Sequence, residues 1–141
     1  MEKSSNHCIC INLRQTSLAL TRFYDAALEP SGLKVTQYSV LKNARRLEPV
    51  SISRLAEELG LDRTTLGRNL RILERENLLT FGPGQEDQRE HTIRLTDQGR
   101  QALAIAYPLW KAVQVKVTRI LGPDQAELLN TLLSNLETII A

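Results

Sequence analysis

The chain has 141 residues and a formal net charge of +2, with 42% hydrophobic and 24% charged residues. This length allows one domain whose core needs no disulfide or metal, and the composition is that of an ordinary globular protein. No apolar run approaches the roughly 20 residues of a membrane span, and the first 30 residues are too polar for a signal peptide. We therefore expect a cytoplasmic protein with no membrane partner.

Hydrophobic spacing predicts two helices at the start of the chain. The first covers 10–29, where apolar residues recur at steps of three and four, and Pro30 and Gly32 end it. The second covers 36–47, and Thr36 is a suitable N-cap. Two helices alone are common to many folds, so the type of fold depends on the elements that follow.

A short helix and a longer helix follow, separated by a single residue. The short helix covers 50–60, with Ser51 as its cap, and the longer one covers 62–77, with Asp62 as its cap. Gly60 lies where a left-handed C-cap belongs. This pair is typical of a helix-turn-helix.

Two strand-like runs come next, at 78–81 and 91–95. The segment between them contains Gly, Pro and Gly followed by charged residues, which is typical of a turn. We therefore predict a β-hairpin directly after the helix-turn-helix, in the position of a wing.

Two helices complete the chain. Thr96 caps the first, which runs to Leu121, and Pro108 should kink it because proline lacks the N–H of a helical residue. The last helix covers 123–140 and carries more apolar side chains than a terminal helix usually buries alone. The predicted fold class is thus mostly α with a small β-hairpin wing, in the order α-α-α-α-β-β-α-α.

The helix at 62–77 has a buried face and an opposite basic face. Leu70 and Leu73 each fall within about 40° of Leu66 on a helical wheel. Opposite them, at about 140–200°, lie a hydroxyl and three guanidinium groups: Thr64, Arg68, Arg71 and Arg75. Arginine reads guanine or grips phosphate in the major groove, and Asn69, beside this face, is a candidate reader of adenine.

A basic helix face is also consistent with an ordinary solvated surface. The whole charge excess lies in residues 34–100, which hold 12 Lys and Arg against 10 Asp and Glu, but two charges are too few to indicate a partner. The placement of the elements favours nucleic acid, because the helix-turn-helix pair is followed immediately by the hairpin. Arg89 in the hairpin turn suits the narrow, negative minor groove, and Asp87 could orient its guanidinium group. Together these features predict binding to double-stranded DNA.

The stretch "LAEELGLDRTTLGRNLRILERENLL" followed by "EDQREHTIRLTDQGR" resembles the winged-helix core of the MarR family of bacterial transcription regulators. The resemblance extends over nearly the whole chain, with "GLKVTQYSVL" before it and "PLWKAV" after it. It implies a single domain over 1–141, with a winged DNA-binding lobe at 33–96 and a helical dimerisation lobe at 8–30 and 97–141. It also implies DNA contacts by six residues: Thr64, Thr65, Arg68, Asn69, Asp87 and Arg89.

Two positions depart from the family pattern. Gly67 replaces a larger residue in the recognition helix and costs about 1 kcal/mol of helix propensity relative to alanine. Asn77 replaces the usual glycine, and asparagine tolerates the left-handed conformation there.

Regulation follows from the implied homodimer. Two recognition helices would enter successive major grooves about 34 Å apart, so we expect a pseudo-palindromic site. A site that overlaps a promoter would make the protein a repressor.

The resemblance implies two kinds of releasing signal. Many family members leave DNA when a small aromatic or phenolic molecule binds, but the aromatic residues here are better explained by packing. Another branch senses organic hydroperoxides through a cysteine at the position of Cys10. In that branch two tyrosines of the other subunit bond the thiolate; one position is Tyr24 here, and the other is Val35, a departure.

The pair Cys8 and Cys10 has three interpretations. The thiols could be buried packing groups, Cys10 could be a redox sensor, or the pair could bind a metal together with His7. If residues 8–10 are helical, the two thiols point about 200° apart and can form neither an unstrained disulfide nor a chelate.

No enzyme is predicted, and no cofactor. His7 and His91 are the only histidines, and no carboxylate pair, phosphate loop or nucleophile motif accompanies them. The alternative class is a thiol-based redox protein that acts through Cys10 and uses a winged fold for protein contacts.

Overall fold

The computed structural model describes residues 8–84 and 91–140. Within these residues the chain forms six α-helices and a three-stranded antiparallel sheet. The helices are α1 (Ile9–Leu28), α2 (Val35–Leu47), α3 (Ile52–Leu59), α4 (Arg63–Arg75), α5 (Asp97–Leu121) and α6 (Pro123–Glu137). The strands are β1 (Val50–Ser51), β2 (Leu79–Pro83) and β3 (His91–Leu95), and 3₁₀ turns follow α1 and α6. The predicted fold class, mostly helical with a small β wing, is confirmed.

The predicted caps of three helices are confirmed. Ser51 accepts a hydrogen bond from the backbone N–H of Arg54, and Thr96 accepts one from that of Gly99. Asp62 caps α4 in the same way. Gly60 has the left-handed conformation predicted for it, with φ of 65°. The caps fix where α3 and α4 begin, so the turn between them is short and its geometry is set by local bonds.

The cap predicted for α2 was wrong. The helix begins at Val35 and its N-cap is Lys34, so Thr36 lies inside the first turn. The Gln37 side chain accepts a hydrogen bond from the backbone N–H of Lys34, and the Asp25 carboxylate accepts one from that of Val35, at 2.8 Å. A carboxylate from α1 therefore caps α2, and a contact between two helices is not visible in local sequence.

The sheet has one strand more than predicted. β1 has two residues and pairs with β3 in the register Val50 to Ile93, while β2 pairs with the other edge of β3. Residues 50–60 were predicted to be entirely helical, because a strand of two residues has no periodicity to detect. β1 thus anchors the start of the helix-turn-helix to the wing.

Smaller differences concern element ends. β2 extends to Pro83 rather than 81, and the α-helical part of the last helix ends at Glu137, before a 3₁₀ turn. α5 continues through Pro108 as predicted, and the kink there stays a prediction. None of the described helices is both long and apolar enough to cross a membrane.

The core lies where the winged elements meet the start of α5. Its fully buried large side chains come from α1, α2, α3, α4 and the sheet: Leu28, Leu41, Leu55, Leu66, Leu70, Leu73, Leu79 and Ile93. From α5, Ala102, Leu103 and Ala106 join this cluster. By contrast, α6 contributes no buried side chain and α1 only Leu28.

Besides the shared core, two close contacts hold the start of α5 against the winged elements. Glu48, at the end of α2, accepts hydrogen bonds from the backbone N–H of Leu95 and from the Arg100 guanidinium group. Gly99, in the first turn of α5, packs so closely on Leu78 that a Cβ built on it would lie 2.0 Å from the Leu78 carbonyl oxygen. Leu78 lies between α4 and β2, so this contact sets the distance between α5 and the end of α4.

We predict that Gly99→Ala lowers the free energy of unfolding by about 3 kcal/mol, because the methyl group meets backbone rather than a flexible side chain. Urea unfolding followed by circular dichroism measures the loss. Gly82→Ala is the matched control, since a Cβ there would lie 3.6 Å from the Thr92 hydroxyl oxygen, an ordinary contact. Equal stability of the two variants would contradict the packing at Gly99.

Candidate nucleic-acid interface

The start of α4 is fixed by two hydrogen bonds to the Asp62 carboxylate. Asp62 accepts hydrogen bonds from the backbone N–H and from the hydroxyl of Thr65, each at 2.8 Å. These bonds hold the pKa of the Asp62 carboxyl below its ordinary value, the backbone N–H contributing most. The hydroxyl proton of Thr65 is therefore committed to the cap, and Thr65 offers a ligand its methyl group and the free lone pair of its oxygen.

The inner face of α4 is the leucine face predicted from the helical wheel. Leu66, Leu70 and Leu73 are fully buried, and α4 packs on α3 and β2. Because the three leucines occupy one face, the rotation of α4 about its own axis is fixed. The opposite face must point away from the core.

That opposite face is basic and exposed. The exposed residues are those predicted: Thr64, Arg68, Arg71 and Arg75. Within residues 8–84 and 91–140, none of the three arginines has a carboxylate within salt-bridge distance. Guanidinium groups without an internal partner are available to phosphate oxygens and to the edges of bases.

Asn69 lies on a different flank of the helix from the arginines. It is half-buried and lines a cleft of about 360 Å³ together with Lys34 and Thr36, at the start of α2. Asn69 and Thr65 are four residues apart and share this flank. The predicted contact residues on α4 therefore form two adjacent rows rather than one.

One exposed arginine of this helix is not among the predicted contact residues. Arg63 is the first residue of α4 and is exposed. The helical wheel places it on the flank nearest the leucines, about 60° from Leu66, and so does not mark it as part of the basic face. Its position in the first turn could have marked it as functional. A cation there interacts unfavourably with the helix dipole, so an arginine at this position is better explained by a role outside the helix.

The wing is described only at its base. β2 and β3 pair along their length, from Leu79 with Leu95 to Pro83 with His91. His91 is an exposed strand residue whose ring packs edge-on against Phe81, with centroids 6.5 Å apart. Asp87 and Arg89, the predicted wing contacts, lie outside the described residues.

The cysteines differ from the first interpretation given to them. Cys8 is the N-cap of α1 and Cys10 its second residue, and both thiols are free and exposed in the protomer. They are not packing groups within one chain, because the protomer leaves both side chains exposed. Among the described residues, no group of three His, Cys, Asp or Glu side chains could hold a metal ion.

Tyr24, the other residue of the predicted redox set, has a partner within its own chain. Its hydroxyl donates to the side-chain oxygen of Gln114 on α5, and burial raises the pKa of the phenol. Tyr24 and Val35 both line an apolar groove of about 720 Å³ between α1 and α6. A hydrogen bond from the Tyr24 hydroxyl to the Cys10 thiolate of another subunit would therefore compete with its bond to Gln114.

Three further aromatic residues stack on one another, although Tyr107 keeps 50% of its surface exposed. Tyr38 is buried, and its ring centroid lies 5.8 Å from that of Trp110. The Trp110 ring centroid lies 6.3 Å from that of Tyr107. The Lys42 ammonium lies 4.6 Å from the Trp110 ring centre, within cation–π range. This cluster joins α2 to α5.

Comparisons with known proteins agree on one family. The MarR family model matches residues 33–91. The DNA complex of the M. tuberculosis transcriptional regulator MosR has 38% sequence identity, covers 94% of this chain and 98% of its own, and superposes with a TM-score of 0.81. The repressor CouR, bound to a 23-mer DNA duplex, has 25% identity over 97% of this chain and 99% of its own, with a TM-score of 0.85. The organic hydroperoxide resistance transcriptional regulator of Bacillus subtilis is 27% identical over 93% of this chain and 88% of its own length.

Proposed function

The chain belongs to the MarR family of DNA-binding transcriptional regulators, which are not enzymes, and we propose that it is a repressor that binds a pseudo-palindromic promoter site as a homodimer. A small molecule or an oxidant then releases it from DNA. The observation that carries this proposal is the exposed arginine face of α4, directed outward by three buried leucines.

DNA recognition is assigned to the two rows of α4 and to the wing. Arg68, Arg71 and Arg75 reach phosphates or guanine edges, and Thr64 contacts a phosphate or a thymine methyl group. On the other row, Thr65 and Asn69 face the same groove. Arg89 keeps the role in the minor groove that the sequence predicts for it, with Asp87 orienting its guanidinium group, within a DNA-binding lobe at 33–96.

The homodimer is supported by apolar surface that one chain leaves uncovered. On α6 the exposed apolar residues are Leu128, Leu129, Leu132 and Leu136, and Ile139 is exposed in the 3₁₀ turn that follows; on α1 they are Ile9, Ile11, Leu13, Leu18, Leu20 and Phe23. A monomer rarely exposes so much contiguous apolar area. We assign 8–30 and 97–141 to a dimerisation lobe in which a second copy covers both helices.

A dimer supports the pseudo-palindrome by symmetry. A two-fold axis through the dimerisation lobe relates the two α4 helices, and the half-sites they read must be related by the same axis. A centre-to-centre spacing of about 34 Å would place both helices on one side of the duplex.

A second candidate function is redox sensing by Cys10, and the exposure of its thiol favours it. The hydroperoxide regulator among the relatives supports the same chemistry by its name. The Cys10 thiolate would attack the terminal oxygen of an organic hydroperoxide and break the O–O bond. Sulfenic acid forms on Cys10, and the alkoxide leaves and takes up a proton to become the alcohol.

We predict that Arg68→Ala weakens specific DNA binding about tenfold, because it removes one charged contact in the groove. Fluorescence anisotropy on a duplex selected from a random library, titrated with salt, measures this. Arg119→Ala, in the last turn of α5, removes the same charge away from α4 and should bind like the wild type. Absence of binding to every selected duplex would refute the proposed function.

We predict that Leu132→Asp weakens dimerisation at least about a hundredfold, because a buried carboxylate without a partner is costly. Sedimentation equilibrium measures the dissociation constant. Asn130→Asp adds the same charge on the opposite face of α6 and should leave the dimer intact. A wild-type protein that sediments as a monomer would contradict the dimer directly.

We predict that cumene hydroperoxide releases DNA from the wild type and from Cys8→Ser but not from Cys10→Ser. Reactivity would then depend on one thiol rather than on a pair. Electrophoretic mobility shift with and without the oxidant measures release, and mass spectrometry detects the added oxygen. Undiminished release from Cys10→Ser would eliminate the sensor and leave the DNA-binding function untouched.

A further inference from the structure

Gly67 lies in the middle of α4, and nothing among the described residues requires a glycine there. A Cβ built on it would meet no atom within 4 Å, apart from its chain neighbours and the helix's own backbone, which that test leaves out. Its φ is not positive, so the backbone conformation is one that any residue adopts. Glycine in a helix interior is unfavourable, and the described part of the chain shows no packing that compensates for it.

The surroundings of Gly67 are cationic. Arg63 precedes it by one turn and Arg71 follows it by one turn, each about 6 Å away along the axis and about 40° away around it. Both arginines are exposed, and neither side chain fills the space above Gly67. A strip of bare helix backbone therefore lies between two arginines that have no carboxylate partner among the described residues.

We propose that this strip is where one strand of the DNA backbone contacts the recognition helix, with a deoxyribose over Gly67 and the flanking phosphates bound by Arg63 and Arg71. The inference rests on the proposed DNA binding and adds two positioning residues to it, Gly67 and Arg63. The missing side chain lets the strand approach the helix more closely than any other residue would allow.

The geometry favours the sugar-phosphate backbone over a base at this position. A bare glycine presents no donor or acceptor that distinguishes base pairs, whereas two arginines at either side match phosphates on one strand. Glu74, two turns after Gly67 on the same stripe, ends the cationic strip, because a carboxylate repels a further phosphate.

The test is a size series at Gly67 compared with Arg63→Ala. Gly67→Ala should raise the melting temperature of the free protein by about 3 °C, because alanine has the higher helix propensity. The same variant should bind DNA about tenfold more weakly, because a methyl group overpacks a close contact. Gly67→Leu should bind more weakly still. Loss of affinity in a protein that is more stable cannot be attributed to misfolding.

The dependence of the affinity loss on base sequence distinguishes a contact with the DNA backbone from a contact with a base. The loss in Gly67→Ala should be uniform across single-base variants of the selected duplex, and Arg63→Ala should reduce the slope of log affinity against log salt by about one. Unchanged affinity in Gly67→Ala, or a loss confined to one base position, would overturn the proposal. If the wild type binds, Arg68→Ala binds more weakly and Gly67→Ala binds normally, only this inference fails. If the wild type binds no duplex, the proposed function fails first.

Discussion

The burial of Leu66, Leu70 and Leu73 is the constraint on which the rest of this structure depends. Each of these side chains is fully buried, and removing one from a core typically costs 2–5 kcal/mol, roughly a third of the stability of a whole domain. A rotation of α4 by one residue, about 100°, would take all three out of the core. The direction of every arginine on the opposite face is therefore set by leucines that never touch a ligand.

The second constraint is that one chain has too little core for its length. The core elements cluster around the winged half, whereas α6 buries nothing and α1 buries one residue. The same sequence that fixes α4 tightly thus leaves two helices that need another surface. In the proposed homodimer, packing within one chain would determine how α4 is presented to DNA, and association would determine where the two α4 helices lie relative to each other.

Sequence patterns predicted the parts of this molecule that depend on local bonds and periodicity. Ser51, Asp62 and Thr96 cap the helices they were expected to cap, because a cap bonds within three residues of itself. Contacts between distant segments were invisible: Asp25 caps α2 from α1, and β1 exists only because β3 is beside it. At the site, the wheel predicted the arginine face correctly. It did not predict that the Thr65 hydroxyl would donate a hydrogen bond to Asp62, that Asn69 would lie in a cleft beside α2, or that Arg63 would be exposed.

The contacts between α5 and the winged elements decide how a signal could travel. The Glu48 carboxylate accepts hydrogen bonds from the backbone N–H of Leu95, at the end of β3, and from Arg100. Gly99 packs directly on the backbone of Leu78, which immediately precedes β2. These contacts have little freedom to slide, since one is backbone against backbone and the other joins a carboxylate to two donors. The start of α5, the sheet and α4 must therefore move as one body. Any signal that changes the association of α1 and α6 would be transmitted as a change in the distance between two recognition helices, with the shape of each unchanged. A repressor built on this plan would lose affinity by losing the spacing of its half-sites, while each half keeps its own contacts.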